Sequence, residues 1–192
     1  MTRIVVLISG HGSNLQALMD AERRGELGDG QIKAVLSNRA DAYGLQRARQ
    51  AGIAAEALSH KDFPSREAFD HALMQRIDHY DPDLIVLAGF MRILTPGFVQ
   101  HYAGKMLNIH PSLLPKYPGM HTHARALEAG DREHGATVHL VTEGVDEGPI
   151  ILQGRVEITP GDSVESLQHK VHALEHQLYP RAVRMMCERK PR

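Results

Sequence analysis

The sequence predicts an α/β protein: a Rossmann-like, open, mostly parallel twisted sheet with helices on both faces and a mixed edge toward the carboxyl terminus. Three observations carry that expectation. Up to Ile109, short runs of β-branched and aliphatic residues alternate with segments of helical period, the pattern of strand–helix–strand crossovers. Residues that stop or start helices stand at the joints. Beyond Ile109 the alternation gives way to a proline-rich loop at 111–118 and two strand-like segments close together, which favours a mixed edge.

A first strand is expected at 4–8 and a helix over 14–24, with Gly25 as its stop. A second strand at 32–37 leads to a helix over 42–51, closed by Gly52, and then to a third strand at 53–58. Ser65 stands where an N-cap belongs, ahead of a helix over 66–79. Strands follow at 84–88 and 106–109, then at 137–141 and 150–158, the last two joined by a segment rich in glycine and acids. Residues 164–187 read as a helix that Pro180 can kink or split. No repeat, low-complexity tract or linker interrupts the chain.

A chain of 192 residues suits one compact core that buries roughly 70% of its unfolded surface. The formal net charge of -1 leaves no basic field to hold a phosphate backbone, so nucleic acid is not an expected partner. Cys187 is the only cysteine, which rules out an internal disulfide and fits a reducing cytoplasm. The apolar opening ends at Ser9, too early for a signal sequence or a membrane span.

The segment Ser9-Gly-His-Gly-Ser-Asn14 lies between the first strand and the first helix, where free backbone N–H groups and the helix dipole favour an anion. The dinucleotide fingerprint needs a third glycine where Leu15 stands, and the second strand ends in Ser37-Asn38 rather than in an acid for a ribose. The Lys-Ser/Thr ending of a nucleoside triphosphate loop is absent too. A single phosphomonoester fits best; the plain alternative is a tight turn with Ser13 as helix cap.

Asn108 and His110 fall at the carboxyl end of a strand, where open α/β sheets place their sites, and positions two apart share a face. An amide and an imidazole N–H are suitable donors to an oxyanion growing on a carbonyl carbon. A nearby carboxylate would favour the charged ring, and Asp146 is one of several acids that could supply it. The alternative is that Asn108 and His110 serve only as capping and turn residues. No Gly-x-Ser-x-Gly elbow suggests a covalent nucleophile, and His121-Thr-His123 without further ligand spacing reads as polar loop, not metal site.

With these residues in view the chain resembles the glycinamide ribonucleotide formyltransferases over nearly its whole length. The resemblance rests on Ile4-Val-Val-Leu-Ile-Ser-Gly-His-Gly-Ser-Asn-Leu15, Ala88-Gly-Phe-Met-Arg-Ile-Leu94, Asn108-Ile-His-Pro-Ser-Leu-Leu-Pro-Lys-Tyr-Pro-Gly119, His121-Thr-His123 and Gly135-Ala-Thr-Val-His139. It implies one formyltransferase domain over residues 1–192, with an amino-terminal half for the ribonucleotide and a carboxyl-terminal half for folate and catalysis. It implies formyl transfer from 10-formyltetrahydrofolate to the amine of glycinamide ribonucleotide with Asn108, His110 and Asp146 as the catalytic set and no metal. Gly12, Ser13, Asn14 and Glu175 would bind the ribonucleotide. Arg66, Met91, Arg92, Ile93, Leu94, Asn108, Val141 and Asp146 would bind folate. The partners so implied are small molecules, with neither nucleic acid nor membrane, for a monomer or homodimer in the cytoplasm. By residue pattern alone, Arg66 and Glu175 would pass as solvated helix charges and residues 89–94 as ordinary core. His11 stands where the family often carries asparagine or another small residue.

Related readings stay open at this stage. Formyltetrahydrofolate deformylases and methionyl-tRNA formyltransferases share the core, but usually add an amino-terminal regulatory or a carboxyl-terminal tRNA-binding domain that this chain is expected to lack. A noncatalytic phosphosugar-binding module is the remaining alternative.

Overall fold

The computed structural model describes residues 1–189. Seven strands form one sheet in the order β3-β2-β1-β4-β5-β6-β7, with β1 (Thr2–Ile8), β2 (Gly30–Ser37), β3 (Ala54–Ala57), β4 (Leu84–Leu87), β5 (Met106–His110), β6 (Glu133–Leu140) and β7 (Ile150–Glu157). The first five run parallel; β6 pairs antiparallel with both β5 and β7, which makes the expected mixed edge. Alternation along β1 separates two cores. Ile4, Val6 and Ile8 pack with buried residues of α1 (Ser13–Arg23), α2 (Tyr43–Gln50) and α6 (Val164–Glu188). Val5 and Leu7 pack on the other face with α3 (Arg66–Asp78) and α4 (Pro96–His101). Side chains that alternate about a strand therefore produce helices on both sides.

Several joints obey the sequence. Gly25 and Gly52 both take positive φ just after α1 and α2, and Ser65 Oγ accepts from the Ala68 N–H to cap α3. Four expectations need correction. The first helix is capped by Gly12 and not by the Ser13 side chain, since Ser13 is already its first residue. Two short helices go unannounced: α4, although Thr95 caps it and Pro96 stands at its start, and α5 (Thr122–Glu128), which takes in Thr122 and His123 of the presumed loop. Strand β6 begins at Glu133, four residues ahead of 137, because Glu133-His-Gly135 lacks the apolar alternation of a recognisable strand although its ladder to β7 is continuous there. Pro180 does not split α6, because Leu178, Tyr179, Ala182 and Val183 are buried on either side of it and tertiary packing outweighs the lost hydrogen bond.

Strand order reverses direction between β1 and β4. The crevice outside their carboxyl ends is where an open sheet of this kind holds its ligands. Helix α6 is tied to that place by Tyr179, whose buried hydroxyl donates to the Leu87 carbonyl at 2.6 Å.

Candidate active site

On the β1 side the site is made largely of backbone. Gly12 adopts φ 81°, and a Cβ added there would stand 2.8 Å from the Gly44 Cα, so only glycine lets the loop lie against the start of α2. No side chain caps the first turn of α1, and the Ser13 and Asn14 N–H groups, at the start of a helix, have no intrahelical acceptor. His11 stacks on Tyr43 with ring centroids 5.2 Å apart, while Arg47 donates from Nε to the His11 carbonyl at 2.9 Å and from Nη1 to Gln16 at 3.2 Å. The unusual His11 thus joins an aromatic and guanidinium stack that fixes the loop from outside.

Asn14 turns its side chain inward. Its Nδ2 donates to Glu175 Oε1 at 2.9 Å across 161 residues of sequence. Glu175 is 7% exposed, not solvated, because it shares the apolar stripe of α6 with Leu167, Val171 and Leu178. Burial pushes its carboxyl up to about 7, against a smaller opposing pull from the Asn14 hydrogen bond. The helical spacing of that stripe was the signal that could have found this acid.

The segment after β4 faces the same crevice. Ser9 Oγ accepts from the Met91 N–H at 2.7 Å and donates to Asn38 Oδ1 at 2.6 Å, linking the ends of three strands. Met91 and Ile93 are 77% and 73% exposed, so this is no ordinary core stretch but a displayed apolar pair. Arg92 folds back over the Phe69 ring, 4.7 Å from its centre. Leu94 and Val141 are half-buried against the α3 side of the core, and Arg66 lies exposed at the first turn of α3.

On the β5 side the site is made of side chains. Asn108 and His110 occupy one face of β5 and pair across the antiparallel ladder with His139 and Thr137. The half-buried Asn108 amide has no hydrogen-bond partner among the described residues. His110 is 6% exposed; Nε2 lies 2.8 Å from the Tyr117 carbonyl and Nδ1 lies 3.4 Å from Asp146 Oδ2. Both ring nitrogens therefore face oxygen atoms, one of a carbonyl and one of a carboxylate. Asp146 reaches the ring from the β6–β7 loop with φ 53°, and its Oδ2 accepts from the Gly119 N–H at 2.9 Å.

Sequence reasoning missed His139. It is buried beside Asn108, donates from Nδ1 to the Leu140 carbonyl at 2.9 Å, and brings Nε2 within 3.7 Å of Asp146 Oδ1. Its cross-strand position opposite Asn108 was not available before the antiparallel register was known. The loop after β5 is pinned as well: the Thr137 hydroxyl donates to the Ser112 carbonyl at 2.7 Å and Tyr117 donates to Asp131 at 2.5 Å. His123 of α5 meets His134 at 3.0 Å between ring nitrogens, and burial holds His134 down to about 4. Among the described residues no group of three or more His, Cys, Asp or Glu could hold a metal ion, and no helix is long and apolar enough to cross a membrane.

A glycine-shaped loop at a helix start, a displayed apolar segment and an amide–imidazole–carboxylate set around one crevice make an arrangement suited to acyl transfer, and residues 2–183 match the formyl transferase family model. The chain belongs to that family. It is 59% identical over 177 residues to the phosphoribosylglycinamide formyltransferase of Escherichia coli strain K12, a match that covers 92% of this chain and 83% of that protein. It is also 52% identical to part of the trifunctional purine biosynthetic protein adenosine-3 of Drosophila melanogaster, over 96% of this chain and 14% of that one. The solved phosphoribosylglycinamide formyltransferase of Coxiella burnetii superposes with a TM-score of 0.92 at 57% identity, covering 96% of this chain and 86% of that one.

Proposed function

We propose that this chain transfers the formyl group of 10-formyltetrahydrofolate to the amine of glycinamide ribonucleotide, giving formylglycinamide ribonucleotide and tetrahydrofolate in de novo purine biosynthesis. The single observation that carries the residue assignment is the approach of Asp146 to His110 at 3.4 Å, beside the unpartnered Asn108 amide. The Ser13 and Asn14 N–H groups, with Gly12 giving room, hold the ribonucleotide phosphate. Glu175 receives the amino end of the substrate. Folate lies on Met91 and Ile93, with Arg92, Leu94, Arg66, Val141, Asn108 and Asp146 around it. The amino-terminal half thus serves the ribonucleotide and the carboxyl-terminal half serves folate and chemistry, within one domain.

The substrate amine attacks the formyl carbon. The Asn108 amide and the His110 Nε2–H, released from the Tyr117 carbonyl, donate to the oxyanion that forms. Asp146 holds Nδ1 and so aims the ring. Collapse of the tetrahedral species breaks the bond to the folate nitrogen; that nitrogen gains the proton the amine loses. The near-balance of charge suits small-molecule partners without nucleic acid or membrane, and we place the protein in the cytoplasm as a monomer or homodimer.

Formyl transfer measured with purified substrates tests the reading. Folate turnover that requires the ribonucleotide is expected. Equal release of formate with and without it would indicate transfer to water, and no turnover at all would indicate a binding module.

A further inference from the structure

Asp70 is a buried charge with no part in the chemistry above. It lies on α3 at 1% exposure, and its Oδ2 accepts from the Thr95 N–H at 2.8 Å. Its other oxygen has no hydrogen-bond partner among the described residues, and neither has the buried Arg92 Nε. A carboxylate left half-satisfied in a core destabilises the fold relative to a well-packed apolar side chain, so its presence calls for another use.

That use follows from what lies between its contact and the next fixed point. The Met91 N–H is held by Ser9 Oγ at 2.7 Å and the Thr95 N–H by Asp70 at 2.8 Å. Between them the Arg92 guanidinium is laid over Phe69, the residue before Asp70. Residues 92 and 94 turn toward the protein while Met91 and Ile93 stand out at the crevice. So short a segment, held at both ends, has few torsions with which to drift.

We propose that Asp70 is a positioning residue for the folate co-substrate: by holding Thr95 it sets where Met91 and Ile93 present their apolar surface. The proposal rests on the reading that folate lies on this segment. Asp70→Ala leaves the Thr95 N–H buried without its acceptor and frees one end of the segment. The expected result is a rise of about five- to tenfold in the KM for 10-formyltetrahydrofolate, the scale of one lost buried partner. Turnover at saturation and the KM for the ribonucleotide should stay within about twofold, a split that general destabilisation would not produce.

Asp70→Asn keeps the shape and a weaker acceptor. It should raise the folate KM about two- to threefold and speed amide hydrogen exchange over residues 91–95, and it decides the matter if the alanine variant does not fold. Ile93→Asp, an exposed change, tests the underlying reading by itself. A raised folate KM in Ile93→Asp with none in either folded Asp70 variant would overturn the positioning role and leave folate where it was placed. No effect in Ile93→Asp removes folate from the segment, and the proposal with it. Equal changes in all three kinetic constants of the Asp70 variants would make Asp70 a structural residue only.

Discussion

In the function proposed above, the two sides of the crevice solve recognition by opposite means. After β1 the loop is shaped by Gly12, where a Cβ would run into the Gly44 backbone, and by Gly44, where one would run into Ile8, and its donors are main-chain amides. After β5 the donors are side chains, Asn108 and His110, aimed by strand pairing and by an acid from a separate loop. A phosphate keeps its charge and shape throughout the reaction, so fixed dipoles serve it well. A formyl oxygen changes charge during the step, so groups that donate and can be oriented by a carboxylate serve it better.

The largest effect that would break this contrast lies on the β5 side. Asn108→Ala and His110→Ala should each lower kcat by about 10² to 10³, or about 2.7 to 4 kcal/mol, with folate affinity changed far less than turnover. Steady-state kinetics beside folate-binding measurements check this; loss of binding equal to the loss of turnover would make both residues mere contacts.

Glu175 sharpens the contrast, because it is a buried acid on a side whose outward donors are main-chain amides. Its folded carboxyl is raised from 4.5 to about 7, so it disfavours folding as pH rises through that window: no penalty below about pH 4.5, and the full penalty above about pH 7. The shift corresponds to about 3 kcal/mol at high pH. Glu175→Gln should therefore stabilise the protein at pH 8, leave it unchanged near pH 4, and weaken ribonucleotide binding. Denaturation midpoints across pH with equal shifts at both ends would refute the burial argument.

Next in size, Asp146→Asn should lower kcat about 10- to 100-fold, the scale for a partner that orients a working group. Asparagine accepts the positive φ of this position, so the backbone keeps its turn and the effect isolates the charge. Unchanged kcat would reduce Asp146 to a loop residue. Smallest is Gly12→Val, which places a branched side chain against Gly44 at φ 81°. A rise of about tenfold in the ribonucleotide KM with folate KM unchanged is expected; the reverse pattern would exchange the two halves of the site.

The same division decides what could be read from the sequence. The parallel strands were legible because runs such as Ile4-Val-Val-Leu-Ile8 are buried on both faces and need no alternation. The turn at Gly12 was legible because a loop between a strand and a helix often needs the positive φ that glycine takes, as Gly12 does at 81°. Glu175 was not, since a charge within a long helix usually faces water, and only its register with Leu167, Val171 and Leu178 betrays it. His139 and Asp70 were silent for a different reason: each gains meaning from a neighbour far along the chain, Asn108 across a ladder and Thr95 across two helices.

The antiparallel seam between β5 and β6 has a consequence for how this site can change. Asn108 and His110 owe their common direction to the ladder that sets them opposite His139 and Thr137. A slip of one residue would turn both away together. The pair proposed for catalysis therefore cannot be retuned by small adjustments of its own strand: it is inherited whole or lost whole, and variation in what the site accepts has to accumulate in the loops around it.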